Sequence, residues 1–307
     1  MKKIRCIFLI LWGIGLILLF LAASTDLFLR DSASDYYRIS VIWDDTTEDY
    51  VENYKKNISR YTDIKKIEFR FFTMEEPLDA RQQMDLLLQE AQNGADLLVV
   101  KPLDEEKLEE LLKKSNLSVP VVCIDGKMEA DSVHVCIRSD ERKRARHLAV
   151  RIVQEHPREK ICILTDERNP RRDERICRAI KEELSEDSVQ VCSWNGDSPF
   201  PVETAGGTVV VTLNPRLTEL AVQKKEEGVP LYGFGYTTDI LYALDQGQIQ
   251  AINIHSDFYM GWTAIQYGFK ILDKESYQKE VLLEDYTIGN QEMFEREYQE
   301  LLFYMEE

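Results

Sequence analysis

From residue 36 onward, short runs of apolar residues alternate with longer segments in which apolar residues recur every three or four positions. Short apolar runs bounded by polar residues are typical of buried strands, and the longer pattern is typical of amphipathic helices. The predicted strands are Arg38–Trp43, Ile67–Phe72, Asp96–Val100, Val119–Ile124, His134–Ile137, Lys160–Leu164, Val189–Ser193, Thr208–Thr212, Leu231–Phe234 and Ala251–Ile254. The helices predicted between most of them are Asp49–Arg60, Pro77–Asn93, Asp104–Lys114, Arg142–His156, Asp173–Leu184, Arg216–Glu227, Thr238–Gln246 and Phe258–Leu272.

This alternation predicts an α/β fold with mostly parallel sheets that are covered on both faces. Ten strands are more than one open sheet usually holds, so we expect two doubly wound parallel-sheet lobes joined by a hinge. The boundary is predicted near residues 139–142, where Asp140 can cap a long helix. The predicted N-terminal lobe takes residues 36–140 with a return near 257–275, the C-terminal lobe takes 141–256, and residues 276–307 form a tail that crosses the hinge.

The N-terminal part of the chain contains an uncharged apolar run over residues 6–23, with basic residues before it and aspartates shortly after it. The run is longer than most signal-peptide cores and lies at the lower limit for a spanning helix. Residues 1–35 are therefore predicted as a single-pass membrane anchor. A removed signal peptide is the alternative, since Ala22-Ala23-Ser24 could serve as a cleavage site. The basic residues keep the N-terminus in the cytoplasm and place the rest of the chain outside the membrane.

The charge of the chain and the absence of common motifs argue against several classes of function. The chain of 307 residues carries 55 acidic and 38 basic residues, a formal net charge of −17, which repels nucleic-acid phosphates. It contains no P-loop, no complete dinucleotide-binding glycine motif, no Gly-x-Ser-x-Gly and no His-Glu-x-x-His. We therefore predict no enzymatic activity, no cofactor, no metal site and no nucleic-acid partner. A glycosidase-type pair of carboxylates stays open as an alternative, because spacing along the chain does not test it.

Six cysteines are too few for a disulfide-stapled scaffold of this length. Cys6 stands at the inner end of the apolar run, and four of the other five lie in short β-like runs. We predict buried thiols rather than a disulfide, because no paired spacing stands out. The five are Cys123, Cys136, Cys162, Cys177 and Cys192.

Polar and aromatic residues follow several predicted strands. In sheets of this kind, ligands bind where the carboxyl ends of the strands meet loops and helix N-termini. Each candidate also has a structural interpretation: a tryptophan in the core, aspartates in turns, arginines in a solvated loop, or an asparagine that caps the helix after it. The candidates are Trp43, Asp44, Asp45, Asp125, Arg172, Asn214, Gly235 and His255, with Arg168 and Arg171 as neighbouring cations.

Six short segments carry a resemblance to a known family. They are residues 95–104 (ADLLVVKPLD), 119–125 (VPVVCID), 139–140 (SD), 233–235 (GFG), 243–249 (ALDQGQI) and 260–261 (MG). In order and spacing they resemble the type I periplasmic binding proteins, in the sugar-binding branch related to ribose- and galactose-binding proteins. The resemblance extends over about residues 38–290. It implies two α/β lobes that close on a ligand around a hinge.

The same resemblance implies ligand contacts at four positions, Asp125, Arg172, Asn214 and His255. If the alignment shifts by one residue, Arg171 takes the place of Arg172 equally well. It also implies stacking and polar contacts from the loop after the first strand, which contains Trp43, Asp44 and Asp45.

Two glycines depart from the family pattern. Gly235 stands where the sugar binders usually have an aspartate after Gly-Phe, and Gly126 stands where the ribose branch has an arginine. An aspartate at the first position would accept two hydrogen bonds from sugar hydroxyls. The ligand need therefore not be ribose- or galactose-like, and a degenerate binder that has lost its ligand is a further alternative.

The resemblance implies a solute-binding protein on the extracytoplasmic side of the bacterial membrane. It would close on a sugar or similar small polar ligand and present it to an ABC transporter permease. The alternative is a membrane-anchored sensor that signals to a two-component histidine kinase. The absence of a lipid-bearing cysteine at the outer end of the anchor favours this alternative. Repressors with the same type of ligand-binding domain carry a helix-turn-helix domain ahead of it, and here the apolar segment occupies that place.

Overall fold

The computed structural model describes residues 36–43, 67–73, 79–166, 170–184, 188–202, 207–255 and 257–302. Within these ranges the chain forms two six-stranded sheets, which define an N lobe and a C lobe. The strands are β1 Tyr37–Trp43, β2 Ile67–Thr73, β3 Leu97–Val100, β4 Val121–Ile124, β5 Val133–Ser139, β6 Lys160–Thr165, β7 Val189–Ser193, β8 Thr208–Thr212, β9 Leu231–Phe234, β10 Ala251–His255, β11 Glu280–Leu283 and β12 Asp285–Gly289. The helices are α1 Ala80–Gln92, α2 Glu105–Lys114, α3 Glu141–Glu155, α4 Pro170–Glu183, α5 Pro215–Lys224, α6 Thr238–Asp245, α7 Asp257–Leu272 and α8 Arg296–Leu302, with a short 3-10 turn at Glu292–Phe294.

The N lobe is built on a parallel sheet with the strand order β11-β5-β4-β3-β1-β2. Every residue of β3 and β4 is buried, as expected for central strands with helices on both faces. On one face, Met260 and Ile265 of α7 pack against the sheet. On the other face, Leu87 of α1 and Leu108 of α2 do the same.

The C lobe has the strand order β12-β10-β9-β8-β6-β7, parallel except that β12 runs antiparallel to β10. Leu148 of α3 and Ile176 of α4 pack on one face of this sheet. Leu217 of α5, Ile240 of α6 and Leu302 of α8 pack on the other face. Both lobes are therefore three-layer sandwiches of helices, sheet and helices.

In the described part of the chain, the polypeptide passes between the lobes three times: from β5 to α3, from β10 to α7, and from β11 to β12. Each lobe is consequently assembled from stretches that are not contiguous in sequence. At the first crossing, Oδ1 of Asp140 accepts hydrogen bonds from the backbone N–H groups of Arg142 and Lys143 at 3.0 and 3.2 Å. The predicted N-cap of this helix is thus confirmed.

The predicted α/β class with two parallel-sheet lobes is confirmed, and all ten predicted strands are present with ends within two residues. The sequence did not predict β11, β12 or α8. Each of these elements is short, and β11 is defined by its pairing with the distant β5. The predicted helix over residues 49–60 and the predicted anchor over residues 1–35 lie outside the described residues. Among the residues that the structure does describe, no helix is long and apolar enough to span a membrane.

The five cysteines in the described ranges are free thiols. Four of them are buried, and Cys192 is half-buried.

Candidate functional site

Three residues at the carboxyl end of the N-lobe sheet form one cluster. Trp43 ends β1, Lys101 follows β3 and Asp125 follows β4, and these three strands are neighbours in the sheet. Nζ of Lys101 lies 5.3 Å from the centroid of a Trp43 ring and 3.9 Å from Oδ2 of Asp125. The cluster combines an aromatic face, a cation and a carboxylate.

The C-lobe sheet brings three further residues to one edge. Asn214 follows β8, Gly235 follows β9 and His255 ends β10, and these strands are parallel neighbours. The His255 side chain is buried. Because the carboxyl ends of parallel strands share an edge of the sheet, these residues lie where ligands of such sheets bind.

The two clusters meet through Arg172, which lies in the first turn of α4 in the C lobe. Its Nη1 is 3.5 Å from Oδ2 of Asp125 in the N lobe, and both side chains are largely buried. An arginine of one lobe therefore forms an ion pair with a carboxylate of the other lobe.

The electrostatics of this pair follow from its surroundings. Burial on its own would raise the pKa of the Asp125 carboxyl, because burial disfavours the charged form. The guanidinium of Arg172, the neighbouring His255, and the cations Lys101 and Arg144 outweigh burial and hold the pKa of Asp125 well below its usual range. Burial would likewise lower the pKa of Arg172, but Asp125 and other nearby carboxylates raise it. Both partners are charged at neutral pH.

A second contact between the lobes joins α2 and α4. Nη1 and Nη2 of Arg175 donate to the two carboxylate oxygens of Glu105 at 2.8 and 3.0 Å. Nη2 also donates to Oε1 of Glu141 at 2.9 Å. The Glu105 side chain is completely buried and the Arg175 side chain is partly exposed, so this fork-to-fork pair lies at the margin of the contact between the lobes.

Helix α4 thus carries three arginines that reach the N lobe. Besides Arg172 and Arg175, Arg171 lies 3.3 Å from Oε2 of Glu109 and 3.6 Å from Oε1 of Glu106. These contacts hold the first two turns of α4 against α2. The lobes are closed on each other at this side.

A buried polar network lies behind the cleft, close to where the chain crosses between the lobes. Nε of Arg144 donates to Oδ1 of Asn253 at 2.6 Å, and Nδ2 of Asn253 donates to Oδ2 of Asp285 at 2.9 Å. The same carboxylate oxygen is 2.9 Å from Nδ1 of His147. The guanidinium of Arg144 also lies 5.0 Å from the centroid of the Phe234 ring. This network joins α3, β10, β12 and β9 into one unit.

The structure gives a structural role to two of the sequence-predicted residues. Oδ1 of Asn214 accepts a hydrogen bond from the backbone N–H of Leu217 at 2.9 Å, so Asn214 caps α5. Gly235 has a φ of +84°, and a Cβ at this position would lie 2.6 Å from Cγ of Pro215. An aspartate, the residue of the sugar binders, would clash there.

The structure brings Trp43, Asp125, Arg172 and His255 into one region, through the contacts and electrostatic interactions given above. Trp43 belongs to the buried core of the N lobe as well, with its side chain almost inaccessible. The predicted contacts Asp44 and Asp45, and the neighbouring cation Arg168, lie outside the described residues. The role of all these residues as ligand contacts stays a prediction.

Sequence reasoning missed Lys101, Glu105 and Arg175. Lys101 directly follows a predicted strand, so the rule that found Asp125 would have found it too. The Glu105–Arg175 pair carries no such signal, because only the folded chain shows that α2 and α4 face each other. Within the described part of the chain, no group of three or more His, Cys, Asp or Glu side chains could hold a metal ion.

The fold has many solved relatives. A glucose-galactose binding protein from Geobacillus stearothermophilus has a TM-score of 0.72 at 11% identity, covering 84% of this chain and 99% of its own. An ABC transporter solute binding protein from Agrobacterium vitis with bound D-fucose has a TM-score of 0.73 at 17% identity, covering 87% of this chain and 100% of its own. A protein from Brachyspira murdochii, described as an ABC transporter, LacI family transcriptional regulator, has a TM-score of 0.68 at 15% identity, covering 87% of this chain and 98% of its own. At these identities the likeness shows the fold alone.

No curated protein sequence matches the chain. The family model described as the periplasmic binding protein domain matches residues 39–276, which is most of the chain and includes most of both lobes. This chain, with its two parallel-sheet lobes and the polar cluster between them, belongs to the periplasmic binding protein domain family.

Proposed function

We propose that this protein is an extracytoplasmic solute-binding protein that closes its two lobes on a sugar or similar small polar ligand and presents it to an ABC transporter. The observation that carries the proposal is the ion pair between Asp125 and Arg172, because it places a hydrogen-bond acceptor of one lobe opposite a donor of the other. Relatives with the same fold support it: the Agrobacterium vitis protein is a solute binding protein with bound D-fucose. In this proposal the chain binds and releases its ligand without catalysis.

The chemistry of the cleft suits a polyhydroxylated ligand. Carboxylate oxygens accept hydrogen bonds from hydroxyl groups, and the guanidinium fork donates to hydroxyl oxygens. The face of Trp43 offers an apolar surface for a sugar ring, although it must become accessible when the lobes open. A ligand that enters here exchanges the direct contact between Asp125 and Arg172 for hydrogen bonds to both residues. Such a ligand stabilises the closed state because it touches both lobes.

His255, Asn214 and Gly235 complete the proposed C-lobe wall. His255 contributes an imidazole next to Asp125, and Asn214 and Gly235 contribute mainly through the backbone they shape. Asp44 and Asp45 are proposed contacts from the loop after β1. Residues 1–35 are proposed to anchor the chain in the membrane, or to direct its export if they are removed.

A membrane-anchored sensor that signals to a two-component histidine kinase is the second candidate. It is favoured by the apolar run over residues 6–23, whose only cysteine, Cys6, stands at its inner end and not at its outer end. The closed form would then be recognised by a kinase instead of a permease. Both candidates use the same cleft.

A thermal-shift screen of the purified full-length chain tests the binding step. We expect one class of sugars, polyols, furanoses or amino compounds to raise the melting temperature, since a ligand that binds only the folded state stabilises it by mass action. Arg172→Ala and His255→Ala should abolish the ligand-dependent shift. Arg178→Ala is the matched control on the same helix, because Arg178 is exposed and pairs with Glu174 on the outer surface. If no compound shifts a well-folded sample, or if the shift survives both cleft variants, the proposed binding site is wrong.

Deletion of the gene separates the two candidates. Loss of uptake of the identified ligand supports delivery to a transporter. Unchanged uptake, with loss of ligand-dependent phosphorylation of a histidine kinase, supports the sensor.

A further inference from the structure

Two cysteines of the C lobe lie in direct contact. Cys162 is in β6 and Cys192 is in the neighbouring strand β7, where Leu164 is the residue opposite Cys192. Their Sγ atoms are 3.2 Å apart. The two residues are thus diagonal neighbours, with side chains on the same face of the sheet.

We propose that Cys162 and Cys192 form a disulfide bond in the mature protein. A disulfide has an S–S distance of about 2.05 Å, so the sulfur atoms need to approach by about 1 Å, which a small adjustment of the side chains and of the edge strand β7 would supply. The expectation that the bond forms in the cell rests on the proposed function, because an extracytoplasmic protein is exposed to oxidising conditions.

The reaction is a thiol–disulfide exchange with a disulfide-bearing oxidant. Cys192 is half-buried whereas Cys162 is almost completely buried, so Cys192 is the sulfur that an oxidant reaches first. The Cys192 thiolate attacks one sulfur of the oxidant, which releases one thiol and leaves a mixed disulfide. The Cys162 thiolate then attacks the Cys192 sulfur and displaces the second thiol. Two electrons pass to the oxidant, and the two protons of the cysteines end on its two thiols.

Burial raises the pKa of the Cys162 thiol, and the neighbouring thiol of Cys192 adds to this effect. The second step therefore requires removal of a proton from a weakly acidic thiol. Closure of the bond should accelerate with rising pH, because the thiolate is the reacting species.

The other three cysteines of the described residues lack a neighbouring thiol, an exposed sulfur atom, or both. Cys123 and Cys136 lie opposite each other on β4 and β5, but both are buried, which limits the access of an oxidant to either thiol. Cys177 is on α4, and burial together with the charge of Asp173 raises the pKa of its thiol to about 12. Cys177 therefore serves as a control thiol in the same lobe.

The bond would enclose the segment that contacts the other lobe. Helix α4, with Arg171, Arg172 and Arg175, lies between Cys162 and Cys192 in the sequence. Among the described strands, β7 lies at the edge of its sheet and pairs with β6 alone. A covalent link between the two strands fixes that edge and closes a covalent loop that contains α4. It thereby stabilises the position from which the arginines reach the N lobe.

Peptide mapping tests the proposal. The full-length chain is purified under reducing conditions, treated with oxidised glutathione, alkylated and digested. We expect a linked peptide pair containing Cys162 and Cys192, and a melting temperature about 5–10 °C higher than in the presence of dithiothreitol. Cys192→Ser should lose both effects, while Cys177→Ser should keep both. Because Cys192 is half-buried, we expect the Cys192→Ser variant to fold even if the Cys162→Ser variant does not.

Alkylation of both thiols in the oxidised wild type would overturn the proposal. A linked peptide whose reduction leaves the melting temperature unchanged would overturn the stabilising role of the bond. The state in cells is read from samples trapped with acid before alkylation. A linked pair there supports the proposal, and two alkylated cysteines there contradict it. None of these measurements uses a sugar, so their failure is distinct from failure of the ligand screen.

Discussion

Nη1 of Arg172 lies 3.5 Å from Oδ2 of Asp125, across the boundary between the two lobes. The carboxylate thus has a partner in the other lobe as well as Lys101 in its own. Because both residues of the pair are largely buried, the loss of either one leaves a charge with poor compensation.

Arg172→Ala should lower the free energy of unfolding by about 3 kcal/mol, since it leaves the Asp125 carboxylate buried with fewer cations around it. Urea denaturation measures the effect. The control Arg178→Ala, which removes an exposed arginine of the same helix, should change the free energy by about 0.5 kcal/mol or less. Equal effects of the two variants would contradict a special role for the pair.

The contribution of Asp125 should depend on pH in a defined direction. Its pKa is lowered in the folded state, so the stability it contributes is fully present above the pKa of an unfolded aspartate, about 3.9. That stability is lost as the pH falls from there towards the lower folded pKa. The difference in unfolding free energy between wild type and Asp125→Asn should therefore be constant from about pH 5 to pH 7 and shrink below about pH 4. A difference that stays constant down to pH 2 would show that the charge of Asp125 does not matter.

Gly235→Asp should destabilise the protein rather than restore the carboxylate of the sugar binders. The residue has a φ of +84°, and its Cβ would lie 2.6 Å from Cγ of Pro215. We expect a loss of about 2–4 kcal/mol in urea denaturation, from backbone strain together with the clash.

Gly247→Asp is the matched control for this substitution. Its φ is +69°, but nothing lies within 4 Å of the position of its Cβ. It should cost only the strain, about 1 kcal/mol. If both variants lose the same free energy, the contact with Pro215 is not what excludes an aspartate.

Glu105→Gln should loosen the contact between the lobes. It removes the negative charge from a completely buried partner of Arg175, and one of the two hydrogen bonds of the fork loses its acceptor. We expect a radius of gyration larger than that of the wild type in small-angle X-ray scattering, and a loss of about 2–3 kcal/mol in unfolding free energy. Glu110→Gln on the same helix is the control, since Glu110 pairs with Lys114 in solvent. An unchanged radius of gyration would mean that other contacts suffice to keep the lobes closed.

Most strands of this fold could be predicted because the local sequence pattern identifies them. The strands β7, β8 and β9 begin and end at the predicted residues, since each is a short apolar or β-branched run bounded by polar residues or turns. The elements β11 and β12 are equally short but lie in a segment rich in charged residues, and what makes them strands is pairing with β5 and β10. Pairing over such separations leaves no mark on local sequence.

The site could be predicted only as a set of strand ends. Position after a strand was enough to single out Asp125 and His255, and it would have been enough for Lys101. The contact between Glu105 and Arg175 depends on how two helices from different lobes face each other, which no local pattern encodes. For Asn214, the sequence position fits two roles, a ligand contact and a helix cap. The structure shows that its side chain caps the helix.

The three crossings between the lobes have a consequence for synthesis of the chain. Strand β11 covers the edge of the N-lobe sheet at β5, and β12 covers the edge of the C-lobe sheet at β10. During synthesis, β5 and β10 therefore stay unpaired on one side until residues 280–289 have emerged from the ribosome. Open strand edges pair readily with other chains, so the nascent protein is prone to aggregation during this interval. A nascent chain truncated before residue 280 should for the same reason be captured by chaperones, although it already contains every residue of the proposed cleft.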